Sequence, residues 1–370
     1  MYKLELRDFI LSHDNWEELL TADPYNLKIS RDGDYIMFKY DQIASDFNIP
    51  LVREARGIIL DEKNWDCACH PFNKFGNYGE SYCPNIDWNT ASVQEKIDGS
   101  LIKFWYYYGW HISTNGTIDA FKAELNNVKY QNFGQLVIDA IHKIFPDEHQ
   151  FFKLLDPNCT YMFELVSPYN RVVIPYEETK LYFLGMRDME DGNEWNPEDS
   201  DVSYFFQVPK HYNLYSLEDV QKAASKLPWD EEGYVVCDGE FNRVKIKSPA
   251  YVAAHYTVAN GIITKKKLLK VILAHEEEEF LTYCPEYKEA IDEVKEDMRE
   301  LETECGIALC KISELPGYWR DYPRKEIFER VQDWPYVEFK YIMANYKEYV
   351  SWKDFTKNWS ENKWMEVLYG

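Results

Sequence analysis

Apolar and polar positions alternate along much of the chain as far as Lys247, then recur every three or four residues towards the end. Alternation marks half-buried strands, because successive side chains of a strand point to opposite faces. It predicts strands at 25–30, 34–40, 56–60, 65–70, 91–97, 101–108, 110–114, 161–166, 181–186, 232–237 and 241–247. Arg31-Asp32-Gly33, Asp98-Gly99 and Asp238-Gly239 each read as the corner of a hairpin. Helical spacing interrupts the alternation at 1–20 (Leu6, Phe9, Ile10, Leu19, Leu20), at 119–145 (Phe121, Leu125, Val128, then Leu136, Val137, Ala140, Ile141) and at 217–226. After Tyr251 only helices are predicted: 265–275, a second through Tyr287, Ile291, Val294, Met298 and Leu301, then 323–334 opened by Pro323, and 336–349. The chain is therefore expected to divide within 252–262 into a mixed α+β domain, 1–252, and an all-helical domain, 253–370.

Composition narrows the function. The 370 residues suffice for two cores, and 45% hydrophobic with 28% charged residues describes a globular chain. The net charge of −23 excludes a protein coated in nucleic acid through a general basic surface. A nucleic-acid enzyme of this charge has to gather its Lys and Arg in one cleft. No apolar run reaches membrane-spanning length, and Lys3, Glu5, Arg7 and Asp8 break up the first residues, so neither a span nor a secretory signal is expected. Eight scattered cysteines suggest a reducing, cytoplasmic setting. Cys67-Ala68-Cys69-His70 is their only cluster, and no second ligand pair stands nearby, which argues against zinc. Asn115, Asn158 and Asn358 open glycosylation-type triplets of a kind common by chance. With no Gly-x-x-x-x-Gly-Lys loop, phosphates would have to be held by side chains.

Candidate chemistry centres on Lys96-Ile97-Asp98-Gly99-Ser100, where a lysine leaves a strand just before a turn. Gly99 is able to take a positive φ and to let a ligand approach the backbone. The bland reading is an ordinary hairpin with a solvated lysine. Five further patches weigh against it: Arg56-Gly57; Lys74-Phe75; Phe163-Glu164-Leu165-Val166 running into Pro168, Asn170 and Arg171; Glu232-Gly233-Tyr234-Val235; and Lys245-Ile246-Lys247 followed by Tyr251. Singly, each passes for surface charge. Together they supply two carboxylates and five cations beside strands and turns. Transfer of a nucleotide to an amine needs that set: a lysine nucleophile that sheds its proton, cations and Mg²⁺ for the charge on the α-phosphate, and a clamp for departing pyrophosphate. Val235 suits an apolar floor for a purine.

These motifs, with Glu54-Ala55-Arg56-Gly57-Ile58 and Asn170-Arg171-Val172-Val173, resemble the RNA ligase 1 family of T-even bacteriophages, tRNA-repair enzymes of the covalent nucleotidyltransferase superfamily. The resemblance implies an antiparallel-sheet, ATP-grasp-like nucleotidyltransferase domain followed by a helical domain concerned with RNA specificity. It implies an ATP-dependent RNA ligase that joins 3′-hydroxyl and 5′-phosphate ends, such as those of nicked tRNA, through lysyl-AMP and RNA-adenylate; a monomer in the cytoplasm, that of the host if phage-encoded, is expected. Carried over by position, Lys96 would bear AMP, with Gly99 beside it. Tyr40, Arg56 and Lys74 would contact the triphosphate tail. Glu164 and Glu232 would position Mg²⁺, and Lys245 and Lys247 would hold the α-phosphate. Tyr251 would support the step at the RNA. An acidic pair that holds a second metal falls on Glu278-Glu279, whose bland reading is a solvated helix start. Two departures stand out: Asn115-Gly116 replaces a Lys-Gly, and Gly76 replaces an aromatic. A DNA ligase or capping enzyme is disfavoured because no oligonucleotide-binding barrel is recognisable after Lys247. A non-catalytic RNA-end binding protein is the rival from another class.

Overall fold

The computed structural model describes residues 2–125, 127, 129–256 and 264–369, leaving aside the side chains of 253, 256, 279, 282, 283 and 361. It forms two units, Met1–His255 and Tyr256–Gly370. The expected boundary range, 252–262, falls partly on residues outside the description.

The first unit is α+β, with three sheets whose strand pairs are antiparallel. The first sheet has the order β1-β2-β3-β4, from β1 (Leu27–Asp32), β2 (Tyr35–Tyr40), β3 (Arg56–Asp61) and β4 (Cys67–Cys69). Gly33, at φ +60°, makes the β1–β2 turn. Helices α1 (Glu5–Ser12), α2 (Trp16–Thr21) and α3 (Pro50–Glu54) cover one face, where Leu6, Ile10 and Leu20 pack with Phe38, Ile58 and Leu60. The single helix expected at 1–20 is thus two short ones, parted at His13-Asp14-Asn15.

The second sheet runs β10-β9-β8-β6-β7, from β6 (Ser100–Tyr106), β7 (Trp110–Thr114), β8 (Cys159–Val166), β9 (Lys180–Asp188) and β10 (Glu194–Trp195). The third runs β11-β5-β12-β13, from β5 (Ser92–Glu95), β11 (His211–Tyr212), β12 (Gly233–Cys237) and β13 (Arg243–Lys247). Helices α4 (Phe133–His142) and α5 (Glu148–Phe152) pack on the second sheet, and α6 (Leu217–Ala224) packs on the third. The continuous helix expected at 119–145 is a 3₁₀ turn at Ala120–Lys122, a loop, and then α4, whose start is capped by Asn132 accepting from the Gln135 N–H. Val128 lies outside the described residues.

The main correction concerns Asp98-Gly99. It is not a hairpin corner, since β5 and β6 belong to different sheets. Lys96 stays attached to the third sheet by donating its N–H to the Gly233 carbonyl at 2.9 Å. Four residues later Ser100 pairs with Leu165 of the second. Gly99 does not take a positive φ. Its lack of a side chain serves close approach instead, because a Cβ there would collide with the Leu165 carbonyl. The turn after the lysine therefore carries the chain across the gap between two sheets.

The second unit is helical throughout its described residues: α8 (Lys265–Leu273), α9 (Glu277–Tyr283), α10 (Lys288–Ser313), α11 (Arg324–Val331), α12 (Tyr336–Ala344), α13 (Trp352–Thr356) and α14 (Glu361–Tyr369), preceded by α7 (Pro249–Tyr256), which leaves the first unit. Its core gathers Ala308, Ile312, Trp319, Ile327 and Ile342, and beside it an aromatic cluster of Tyr341, Trp352, Phe355 and Trp359. Pro323 precedes α11 as its N-cap rather than entering it.

Candidate active site

A cavity of about 610 Å³ lies in the first unit, and its wall includes Tyr40, Arg56, Lys74, Lys96, Gly99, Asn115, Glu164, Val235 and Lys245. Residues spread over two hundred positions thus meet because three sheets converge there. The Lys96 Nζ lies 2.8 Å from the Glu232 Oε2, and Glu232 is only 5% exposed. Val235 pairs with Lys245 across β12–β13 and with Gln94, two residues before Lys96, across β12–β5, and it lines the cavity. Lys245 and Lys247 share a face of β13, where half-buried and buried positions alternate; of the two, Lys245 reaches the cavity.

Glu164 sits on β8 opposite Leu101. Burial pushes its carboxyl up to about 7; Lys96 opposes that shift and Glu232 adds to it. Two carboxylates around one ammonium, one of them short of compensating charge, fit a divalent cation completed by phosphate oxygens and water. Among the described residues no group of three or more His, Cys, Asp or Glu side chains forms a ready-made metal centre. Cys67, Cys69 and His70 do not form one either: the His70 ring is hydrogen-bonded to the Tyr2 hydroxyl at 2.6 Å and to Asn73 at 3.0 Å.

At the cationic end, the Lys74 ammonium lies 5.0 Å over the Tyr40 ring and 4.8 Å over Phe47, and the Arg56 guanidinium 5.0 Å over Phe75. The loop bearing Lys74 and Phe75 is strapped to β13: Lys245 N–H donates to the Gly76 carbonyl at 3.0 Å, and Tyr78 N–H to that of Lys245 at 2.9 Å. Gly76 is explained by its neighbours, since the side chains of Glu80, Tyr82 and Cys83 fill the space a larger residue would need. The Nη1 of Arg56 and the Oδ1 of Asn115 are both buried without a hydrogen-bond partner.

Three residues of this region carried no assignment in the sequence. Asp98, 4% exposed, accepts from the N–H groups of Val173 (2.9 Å) and Ile174 (2.8 Å) and from the Tyr251 hydroxyl (2.8 Å). It ties the turn after Lys96 to the loop after β8 and to α7. Lys103 is fully buried on β6, and Lys39 is directly opposite Arg56 in the β2–β3 register. A polar residue inside an alternating strand reads as solvent-facing, so neither lysine carried a local signal. Tyr251 is buried, and burial foremost, then Glu232 and Asp98, raises its phenol well above the usual range. Glu278 is exposed on α9 of the helical unit, and the Glu279 side chain lies outside the description.

A family model described as RNA ligase matches residues 54–251. A protein of Autographa californica nuclear polyhedrosis virus, named for polynucleotide kinase and RNA ligase together, is 31% identical over 291 residues, 73% of this chain and 40% of that protein. The chain thus spans less than half the length of this relative. An RNA ligase of Rhodothermus phage RM378 is 28% identical over 347 residues, covering 76% of this chain and 78% of its own. Among solved structures, an archaeal ATP-dependent RNA ligase is 14% identical with a TM-score of 0.46, over 76% of this chain and 73% of its own. Among the described residues no helix is long and apolar enough to cross a membrane.

Proposed function

The chain belongs to the RNA ligase family, and we propose that it is an ATP-dependent RNA ligase of the tRNA-repair kind, joining 3′-hydroxyl to 5′-phosphate ends. The observation that carries this reading is the placement of Lys96, 2.8 Å from Glu232, in the wall of one cavity with Glu164, Arg56, Lys74, Val235 and Lys245.

The chemistry runs in three displacements. The Lys96 Nζ attacks the α-phosphorus of ATP; a P–N bond forms and pyrophosphate leaves with the electron pair of the broken P–O bond. An oxygen of the RNA 5′-phosphate then attacks the same phosphorus and the lysine amine leaves, giving RNA-adenylate. The 3′-hydroxyl finally attacks the RNA phosphate and AMP departs. Glu232 holds the lysine amine in place. Glu164 and Glu232 are the residues that would hold Mg²⁺, which supplies charge stabilisation at the phosphates. Tyr40, Arg56 and Lys74 take the triphosphate tail, Lys245 and Lys247 the α-phosphate, and Val235 the base. Gly99 lets the turn pass beside the nucleotide. Tyr251 and Asn115 act at the RNA step. Glu278 and Glu279 are the residues that would hold a second metal, and the helical unit selects the RNA. The protein works as a monomer in the cytoplasm, that of the host if phage-encoded.

The test is incubation with Mg²⁺ and ATP labelled in the α-phosphate, followed by denaturation. Wild type retains label, GTP labels far less, and Lys96→Arg and Lys96→Ala retain none, since arginine stays protonated. Full labelling of Lys96→Ala removes the assigned nucleophile, and a wild type that never labels favours an RNA-end binding protein.

A further inference from the structure

In a chain with 64 acidic and 41 basic side chains carboxylates are at hand, and Lys63 pairs with Asp34 and Lys122 with Asp32. Three cations in or behind the cavity wall have no such partner: among the described residues Arg56, in the wall, and Lys39 and Lys103 join no ion pair. Lys103 is the extreme case. It is fully buried, its Nζ donates to the Gly57 carbonyl at 2.5 Å, and its register neighbours are Ser113 on β7 and Met162 on β8. The charged and titratable groups facing it are Arg56 and Lys39, which oppose its charge, and the Cys69 thiol, itself raised by burial to about 11. A buried ammonium among other cations is unfavourable unless an anion is brought to it.

Arg56, Asn115 and Gly116 connect this cluster to the cavity, since all three line it. A Cβ at Gly57, whose φ is +78°, would lie 3.1 Å from the Lys103 Nζ and 3.3 Å from the Asn115 Oδ1, so both side-chain ends converge on one glycine. The Asn115 Oδ1 and Arg56 Nη1 are two of seven buried side-chain atoms without a hydrogen-bond partner among the described residues, and of these two the Arg56 Nη1 is the donor that a phosphate oxygen would satisfy. A Cβ at Gly116, in the cavity wall, would lie 3.4 Å from the Lys39 Nζ.

We infer that Lys103 is a positioning residue for the phosphate at this wall: it anchors Gly57 beside Arg56 and supplies from behind the positive charge that Asn115 lacks. The inference rests on the ligase reading and deepens it. In-line displacement places the pyrophosphate leaving in the first step and the RNA 5′-phosphate entering in the second on the same side of the phosphorus, opposite Lys96. One cationic wall serves both.

The experiment is calorimetric titration of the full chain with inorganic pyrophosphate at fixed Mg²⁺, together with the α-phosphate label. Lys103→Met, with an unchanged circular dichroism spectrum, weakens pyrophosphate binding about tenfold. Adding Asn115→Lys to that variant restores it, which a purely structural lysine would not allow. Wild-type affinity in the folded Lys103→Met protein, or no recovery in the double variant, overturns the inference. If Lys103→Met does not fold, wild type answers instead. Burial lowers the Lys103 amine to about 8, so affinity falls from pH 7 to pH 9 although pyrophosphate itself gains negative charge; constant or rising affinity overturns the inference. A protein with this dependence that never takes AMP label keeps the anion site and loses the ligase reading. Labelling with pyrophosphate affinity indifferent to Lys103 does the reverse.

Discussion

Removing the Asp98 carboxylate should unfasten the turn that delivers Lys96. The carboxylate is 4% exposed and accepts three hydrogen bonds of 2.8 to 2.9 Å from Val173, Ile174 and Tyr251. Asp98→Ala leaves two backbone N–H groups and a phenol unpaired in a buried place. Each such loss costs about 1–3 kcal/mol, and water entering the small space recovers part of it, so the expected loss is about 3–6 kcal/mol. Asp98→Asn is milder. Its carbonyl oxygen still meets the two N–H groups, and its amide donates to the Tyr251 oxygen, leaving about 1–2 kcal/mol. For a unit of this size 1 kcal/mol moves the melting temperature by about 2–4 °C. Asp98→Ala should therefore melt roughly 10 °C or more below wild type, and Asp98→Asn only a few degrees below. Thermal unfolding followed by circular dichroism, run beside the AMP-labelling assay, measures both stability and function. Labelling should fall in Asp98→Ala, where the loop after β8 and helix α7 lose their common anchor, and less in Asp98→Asn, which keeps it. An Asp98→Ala protein that melts within about 2 °C of wild type would refute the idea that the three donors depend on this carboxylate.

Glu164 should make metal stabilisation pH-dependent. Its folded carboxyl titrates near 7 rather than 4.5, so the folded state holds a proton that the unfolded state releases, and stability is lost as pH rises through that range. A divalent cation offsets the loss by replacing the proton, so Mg²⁺ should raise the melting temperature more at pH 8 than at pH 6, and Glu164→Gln should abolish the difference. Gly99→Ala should push the turn off the Leu165 carbonyl and lower labelling about a hundredfold, the scale of a displacement near 1 Å; labelling at the wild-type rate would show that the close approach is not needed. A chain ending after Tyr256 should still take AMP label while losing its choice of RNA ends, and a folded truncation inert with ATP would move part of the site into the helical unit.

What the sequence disclosed was local. Strand β7 and the β12–β13 hairpin follow from alternation and from a turn with nothing else to do. The helix expected at 119–145 failed because apolar spacing alone does not nucleate a helix; Asn132, an N-cap residue, was the readable mark of where α4 starts. Asp98-Gly99 failed for a different reason. An Asp-Gly corner looks the same whether its strands pair with each other or with distant partners, and here each strand pairs elsewhere. The Asp98 carboxylate finds partners 75 and 153 positions away. The motif residues were recognisable by type and order. Their supports, Asp98, Lys39 and Lys103, were not, because burial in a three-sheet packing has no short-range signature.

The charge distribution explains how so acidic a chain is suited to polyanions. At physiological salt, charges separated by more than about 8 Å are largely screened at the surface, so the net charge of −23 acts weakly inside a cavity. What acts there is the local set, in which Lys39, Arg56 and Lys103 join no ion pair among the described residues, while surface lysines such as Lys265 pair with acids. An acidic exterior also disfavours lengthwise adsorption of RNA, which grows with the number of phosphates contacted. A terminal phosphate that enters the cavity meets the cations without that repulsion. On the proposed ligase reading, an arrangement that disfavours a general RNA-binding surface would favour ends over backbone, the discrimination a joining enzyme requires.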